Sequence, residues 1–301
     1  MAEAPPIRSY LYAPGSHPRV MEKALAAGAD AVILDLEDSV APEDKLAARG
    51  QVAAVVSRAS ADPASSPGSG SGSAPAELHV RVNHGPEGPD LDDVAAVTAP
   101  GLTGLRLPKI GSAAEVAAVA DALDSLEDIG GMAPGTVRLY LSIETAAAAL
   151  AASELAAAPR VARLVFGATD FLADIGSPGT VDGPATALAR GLLVLASRAA
   201  GIGAPVDCVH TALDDEEGLR RGAAAARELG FFGKSVIHPR QIPAVHEVFT
   251  PSADELATAR RVLDHVAAHG AGATRLDGEL IDAAVVARAR RLVAMTDPGA
   301  R

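Results

Sequence analysis

Cysteine occurs once in 301 residues, as Cys208, and tryptophan does not occur at all. One cysteine forms no internal disulfide and builds no multi-cysteine zinc site, so a reducing, cytoplasmic setting is the expectation. Aromatic residues are 3% of the chain, too few for the stacking platforms that bind single-stranded nucleic acid. Basic residues are the minority charge: 26 Lys and Arg against 38 Asp and Glu leave a net −12. That balance argues against general binding to nucleic acid or an anionic membrane and leaves room only for a local basic pocket. No window approaches the ~20 uninterrupted apolar residues of a membrane span, and residues 1–6 carry no apolar signal region. Glycine-rich stretches such as residues 101–104 lack P-loop and dinucleotide spacing, so neither nucleotide class is supported.

Apolar residues are plentiful, at 49%, enough for a large core. Eight short β-like runs can be read: 9–13 (SYLYA), 31–35 (AVILD), 78–82 (LHVRV), 104–107 (GLRL), 139–143 (LYLSI), 164–167 (LVFG), 205–209 (PVDCV) and 234–237 (KSVI). Most read as continuous apolar runs, the pattern of parallel strands covered on both faces. Between them lie Ala-rich helical stretches. Residues 18–29 place Val20, Ala24 and Ala27 on one face and stop at Gly28; residues 112–126 and 215–229 behave alike, the latter capped by Asp214 or Asp215 and ended by Gly230. Eight such units suit a (β/α)₈ barrel, with a doubly wound open sheet as the alternative. Residues 60–76 (SADPASSPGSGSGSAPA) read as a flexible surface insert. Residues 252–270 and 277–295 read as two helices beyond the eighth strand, joined by a Gly-rich hinge at 270–278. The organisation expected is a barrel over residues 1–250 and a C-terminal helical lid over 251–301.

In a barrel, chemistry collects at the C-terminal ends of the strands. Those ends carry Asp35, Glu37 and Asp38; Arg81 and Asn83; Lys109; Glu144; Asp170; Asp207 and His210; and His238. Glu144 and Asp170 end neighbouring strands and make a hard-oxygen pair suited to Mg²⁺. The alternative is that Asp170 caps the next helix and Glu144 pairs with an arginine. Arg81 can clamp a substrate carboxylate with its planar fork, or pair with Glu37 or Asp38, or do both. Asp35, Glu37 and Asp38 read as supporting charges for Arg81 or Lys109, His238 as a structural histidine, and Cys208 as a small buried hydrophobe.

Ordered motifs then carry a resemblance. RSYLYAPGSHPRVMEKAL (8–25), ADAVILDLEDSVAPEDKLAAR (29–49), HVRVN (79–83), LRLPKI (105–110), LSIET (141–145), FGATDF (166–171), LGFFGKSVIHPRQI (229–242) and LDGELIDAAVV (276–286) resemble the citrate lyase beta-subunit-like enzymes of the HpcH/HpaI aldolase superfamily. The likeness spans the chain outside residues 60–76. It implies a (β/α)₈ TIM barrel with a C-terminal lid, in trimers or hexamers, cleaving or forming C–C bonds of β-hydroxyacyl thioesters such as malyl-CoA or citramalyl-CoA. It implies that Arg81 binds the keto-acid carboxylate and that Glu144 and Asp170 hold Mg²⁺ beside the substrate. It further implies that Asp282 of the lid serves a neighbouring subunit as acid or base, and that Tyr12 and Lys23 line the path of coenzyme A. The family's glycine near Glu144 is Ala148 here, and an arginine position is His17. A thioesterase using the same site, and a citrate lyase beta subunit acting on an acyl carrier, are the competing activities; the long tail argues for a stand-alone CoA enzyme.

Overall fold

The computed structural model describes residues 7–61, 77–270 and 272–295. The low-complexity stretch thus lies outside the described residues, except for its first two, which end the helix Lys45–Ala61. The described chain forms two compact units, one spanning Ile7–Phe249 and one beginning at Thr250.

The strands are, in chain order, β1 Ser9–Pro14, β2 Ala31–Asp35 and β3 Glu77–Arg81; a small antiparallel pair, β4 His84–Gly85 and β5 Gly88–Pro89; then β6 Gly104–Leu107, β7 Arg138–Ile143, β8 Val161–Phe166 and β9 Lys234–Val236. Seven of them pair in parallel in the order β8-β7-β6-β3-β2-β1-β9. The strand expected at 205–209 is shorter than its sequence suggests. It contributes single parallel bridges, Val206 to Val165 in β8 and Asp207 to Lys234 in β9. Backbone bonds from Val206 N to Leu164 O and from Asp207 N to Gly233 O, both 2.9 Å, tie it to each side. Pro205 has no N–H with which to lengthen the ladder. This segment joins the two sheet edges and closes a (β/α)₈ barrel, which excludes the open doubly wound sheet.

Side-chain alternation corrects the reading of continuous apolar strands. Outward positions (Leu11, Val32, Leu34, Leu78, Val80, Leu105, Leu139, Leu141, Leu164) join the large core shared with the helices. Each such side chain fully withdrawn from water contributes roughly 1.5–3 kcal/mol. Buried alanines such as Ala148, Ala152, Ala189 and Ala223 let the helices pack close. Inward positions differ: Tyr10, Ala31, Ile33, Tyr140, Val165 and Val206 form a small second cluster. It shares the barrel interior with Glu77, His79 and Arg106, all buried. β3 and β7 therefore alternate apolar-out and polar-in, as half-buried strands do.

Of the two cap candidates Asp214 and Asp215, Asp215 caps its helix, and Ser112 caps another. Ser112 accepts Glu115 N–H ahead of Ala113–Ile129, and Asp215 accepts Gly218 N–H ahead of Glu216–Leu229, which stops at Gly230 with φ +112°. The first helix is shorter than expected, Pro18–Leu25, and buries Met21 and Ala24 while Val20 is exposed. Eight residues give only two inward positions three apart, and Pro18 at the first turn sets which two.

In the second unit, Ala253–His269 begins with a capping box between Ser252 and Glu255. The expected hinge is instead largely a hairpin, β10 Thr274–Leu276 with β11 Glu279–Ile281. Its turn residues Asp277 and Gly278 both have positive φ, +52° and +87°, as an Asp-Gly type I′ turn requires. The last helix is therefore Ala283–Ala294, and Ala259, Val262, Ile281, Ala289 and Val293 form the core of this unit.

Gly104 faces the barrel interior, where a Cβ would stand 2.8 Å from Cδ2 and Nε2 of His79 and from Cε2 of Tyr140. Those ring atoms have no room to retreat. Gly104→Ala lowers unfolding stability by about 1–3 kcal/mol, read as a lower urea midpoint at unchanged slope.

Candidate active site

The site grows from a register. Asp35 at the end of β2 is the cross-strand partner of Arg81 at the end of β3. Arg81 Nε lies 2.6 Å from Asp35 Oδ1 and Nη2 2.7 Å from Oδ2, a two-point fork. Its third nitrogen, Nη1, approaches Glu37 Oε2 at 3.0 Å and Asp38 Oδ2 at 3.3 Å. Burial works to raise the Asp35 pKa. The Arg81 fork and the N–H groups of Ser39 and Glu37 outweigh it and hold the carboxyl below its ordinary value. Both readings of Arg81 therefore concern one side chain: it is paired with acids, yet one edge still faces the strand-end loop.

Glu144 ends β7 and is buried. Its Oε2 accepts the backbone N–H of Lys109 at 3.0 Å, made possible by a left-handed backbone at Lys109, φ +53°. No arginine pairs with it among the described residues. Glycine at 167 is required beside it, since a Cβ there would lie 2.2 Å from Glu144 Cγ. Burial, then the charges of Glu37 and Asp170, push the Glu144 pKa up to about 7. Asp170 is exposed in the first turn of Ala168–Asp174, whose N-cap position is Gly167. It does not cap that helix, so its carboxylate stands available close to Glu144.

Lys109 was read only as a balancing charge, yet it works twice. Besides the backbone bond to Glu144, its Nζ donates to Glu37 Oε1 at 2.6 Å. Lys45 was not singled out at all. Its Nζ donates to Leu36 O and Glu37 O at 3.0 Å each and to Asn83 Oδ1 at 2.5 Å. It sits within the quoted motif 29–49, but nothing in a one-turn spacing tells that its ammonium bridges two strand ends.

The other expected residues are dispersed. Tyr12 on β1 lies under the site, with the Arg81 guanidinium carbon 5.0 Å from its ring centre. Lys23 is exposed in the last turn of Pro18–Leu25. Asp282 belongs to the second unit and is the N-cap of Ala283–Ala294, its Oδ1 accepting Ala284 N–H and Val285 N–H. His238 is structural, Nδ1 accepting Arg240 N–H ahead of Pro239–Gln241. Cys208 is buried, which pushes its thiol up to about 12 and makes it inert.

The donor set tests well for a hard divalent cation. Among the described residues, Asp35, Glu37, Asp38, Glu144 and Asp170 have Arg81 and Lys109 as their ion-pair partners. Glu37 Oε2, although close to Arg81, completes no hydrogen bond in the buried site. Among the described residues no group of three or more His, Cys, Asp or Glu forms a cage. Two carboxylates with room for waters and substrate oxygens suit Mg²⁺, not structural zinc. The raised Glu144 pKa has a stability consequence. The folded state holds this proton between the ordinary carboxyl range and about 7, so stability falls as pH rises through that window. In EDTA, Glu144→Gln is more stable than the parent above pH 7, and the gap closes toward the ordinary carboxyl pKa; urea titrations across pH measure it.

Comparisons with known proteins give the family of the chain. The model of the HpcH/HpaI aldolase/citrate lyase family matches residues 8–239, and that of a C–C bond lyase of the TIM-barrel fold matches 192–288. A (3S)-malyl-CoA thioesterase of Cereibacter sphaeroides is 34% identical over 98% of this chain and 96% of the relative. A citrate lyase subunit beta of Leuconostoc mesenteroides subsp. cremoris is 33% identical over 96% and 93%. The crystal structure of CitE from Mycobacterium tuberculosis, in complex with magnesium, acetoacetate and coenzyme A, superposes with a TM-score of 0.76 at 31% identity, covering 98% of this chain and 99% of that one. With its barrel closed and its strand-end acids and arginine gathered, the chain belongs to the HpcH/HpaI aldolase/citrate lyase family.

Proposed function

We propose that this protein is a Mg²⁺-dependent lyase that cleaves or forms the C–C bond of a β-hydroxyacyl-CoA such as malyl-CoA or citramalyl-CoA, giving a 2-keto acid and an acyl-CoA. The observation that carries the reading is the Glu144 carboxyl, driven to about 7 by burial and then by the charges of Glu37 and Asp170, at the strand ends that also hold Arg81 with Nη1 turned to Glu37 and Asp38. CitE, bound to magnesium, acetoacetate and coenzyme A, supports the ligand classes.

Glu144 and Asp170 are the residues that would hold Mg²⁺, which supplies Lewis acidity to the substrate's hydroxyl and carboxylate oxygens. Arg81 fixes the substrate carboxylate through Nη1, taking the place of Asp38, while Asp35 keeps the guanidinium plane from turning. Tyr12 supports that guanidinium from below. In cleavage, the hydroxyl proton passes to solvent water, the C–O bond becomes the keto carbonyl, and the bond between that carbon and the thioester α-carbon breaks. The electron pair stays on the α-carbon as a thioester enolate, and Asp282 of a neighbouring subunit returns a proton there. Both helix-capping bonds of Asp282 go to Oδ1, leaving Oδ2 for this task. Lys23 on its exposed helix turn, and the half-buried Tyr12, line the approach of coenzyme A in this reading. The C-terminal unit acts as the lid.

A homo-oligomer, trimer or hexamer, belongs to the same reading. Helix Pro184–Ala200 leaves Leu188 and Leu195 exposed on one face, and Leu150 is exposed at the end of Ala146–Leu150. Apolar side chains so grouped suit burial against another copy. No helix among the described residues is long and apolar enough to cross a membrane, and a cytoplasmic site of action is part of the proposal.

A second reading is hydrolysis of the thioester, favoured by the (3S)-malyl-CoA thioesterases at 33–35% identity. Incubation with malyl-CoA, citramalyl-CoA and β-methylmalyl-CoA, with Mg²⁺ or EDTA, separates the two by mass spectrometry. A lyase releases keto acid plus acyl-CoA only with Mg²⁺; a thioesterase releases free CoA and the intact hydroxy acid. No turnover of any of the three rejects both.

Asp282→Asn isolates the proton step, because asparagine caps a helix as well as aspartate. Stability stays within about 0.5 kcal/mol while turnover falls ~10²–10⁴-fold, with little change in binding of a CoA ligand by calorimetry. Unchanged turnover removes Asp282 from the mechanism.

A further inference from the structure

Beside the strand-end site, the barrel interior holds a guanidinium with no hydrogen-bond or ion-pair partner among the described residues. Arg106 on β6 is the cross-strand partner of Arg81 on one side and of Tyr140 on the other. It is wholly buried. Its guanidinium carbon lies 4.5 Å from the Tyr10 ring centre and 5.2 Å from that of Tyr140. The two rings attend to the cation's faces, leaving its in-plane N–H donors for another partner. Nε, Nη1 and Nη2 meet no hydrogen-bond acceptor among the described residues.

The one carboxylate in this cluster is already engaged. Glu77 accepts from His79 Nε2 at 2.8 Å, Tyr140 Oη at 2.7 Å and Arg138 Nη2 at 2.5 Å. Arg163 Nη1 donates instead to the backbone carbonyls of Ala204 and Phe232. Arg106 and Arg163, with the half-exposed Arg138, thus stand around one carboxylate. Two more buried atoms in the same cluster lack partners: the Tyr10 hydroxyl and His79 Nδ1. The rings are in mutual contact, with His79 and Tyr140 centres 4.2 Å apart and Tyr10 and His79 centres 5.9 Å apart. A buried cation left without an opposite charge is strongly disfavoured. Water can satisfy N–H donors, but it leaves that charge in place.

We propose that Arg106 holds a small monovalent anion of the halide class inside the barrel, with the Tyr10 hydroxyl as a second donor. The size follows from the packing. Arg106, Tyr10 and His79 are all withdrawn from solvent, and the space a side chain at Gly104 would need is filled by the His79 and Tyr140 rings. A single-atom anion asks the least room of so closely packed a cluster. An ion that binds only the folded chain stabilises it by mass action, independently of the reaction proposed above.

The full chain is unfolded thermally in sodium chloride or bromide at several concentrations, with sodium gluconate holding the ionic strength constant. A melting temperature that rises and saturates with halide is expected, and Arg106→Met abolishes the rise. Crystals of the parent protein soaked in bromide provide the second measurement, needed if Arg106→Met does not fold. An anomalous bromide peak within hydrogen-bond distance of the guanidinium supports the site. The proposal is overturned by a melting temperature insensitive to halide, by a halide response retained in Arg106→Met, or by soaked crystals with only water beside Arg106.

Discussion

The paired fork of Arg81 on Asp35 is the interaction from which the strand-end site is built. The two residues are in-register neighbours on adjacent strands, so the bond costs no backbone adjustment. Because Asp35 is neutralised by it, the carboxylate can also organise the turn that follows, accepting from Glu37 N and Ser39 N. That turn carries Glu37 to the ammonium of Lys109. Lys109, in its left-handed conformation, turns its own N–H to Glu144. Breaking one partner would leave the other charge buried and unpaired, which is why such pairs are far more expensive to break than they are stabilising to make.

Two electrostatic regions of opposite sign share the barrel. At the strand ends the acids outnumber the bases, and the surplus appears as the raised Glu144 pKa. In the interior the Glu77 carboxyl has its pKa held down to about 2 despite burial, by His79 and Arg138, while Arg106 finds no hydrogen-bond acceptor among the described residues. The same inward face of β3 passes from Glu77 through His79 to Arg81, so one strand runs through both regions.

Much of the site was legible in the sequence because strand ends are marked locally. Arg81, Glu144 and Asp170 each follow a short apolar run, and parallel strands in a barrel deliver such ends to one face. The cap at Asp215 was legible for the same reason, since it acts on an N–H group three residues away, as Ser112 and Ser252 also do. The Asp277-Gly278 hairpin was also locally encoded, but the surrounding glycines made it read as a hinge. Lys45 and the second role of Lys109 were not legible. Their partners lie 38 and 35 residues away in the chain, and a lysine in a helix or a loop carries no mark of such a reach. The polar interior was missed because Tyr and Val count as apolar in a run, which hides the alternation of β3 and β7.

Composition and motif order alone determined the family, the barrel and the residues at its strand ends, since these rest on spacing within short segments. Which acid meets Arg81, how Glu144 comes to hold a proton near neutral pH, how 205–209 closes the barrel with two bridges, and that Arg106 is left without a hydrogen-bond partner among the described residues were decided by folding. Each depends on cross-strand register and on burial shared among segments far apart in the chain, and a linear pattern contains neither.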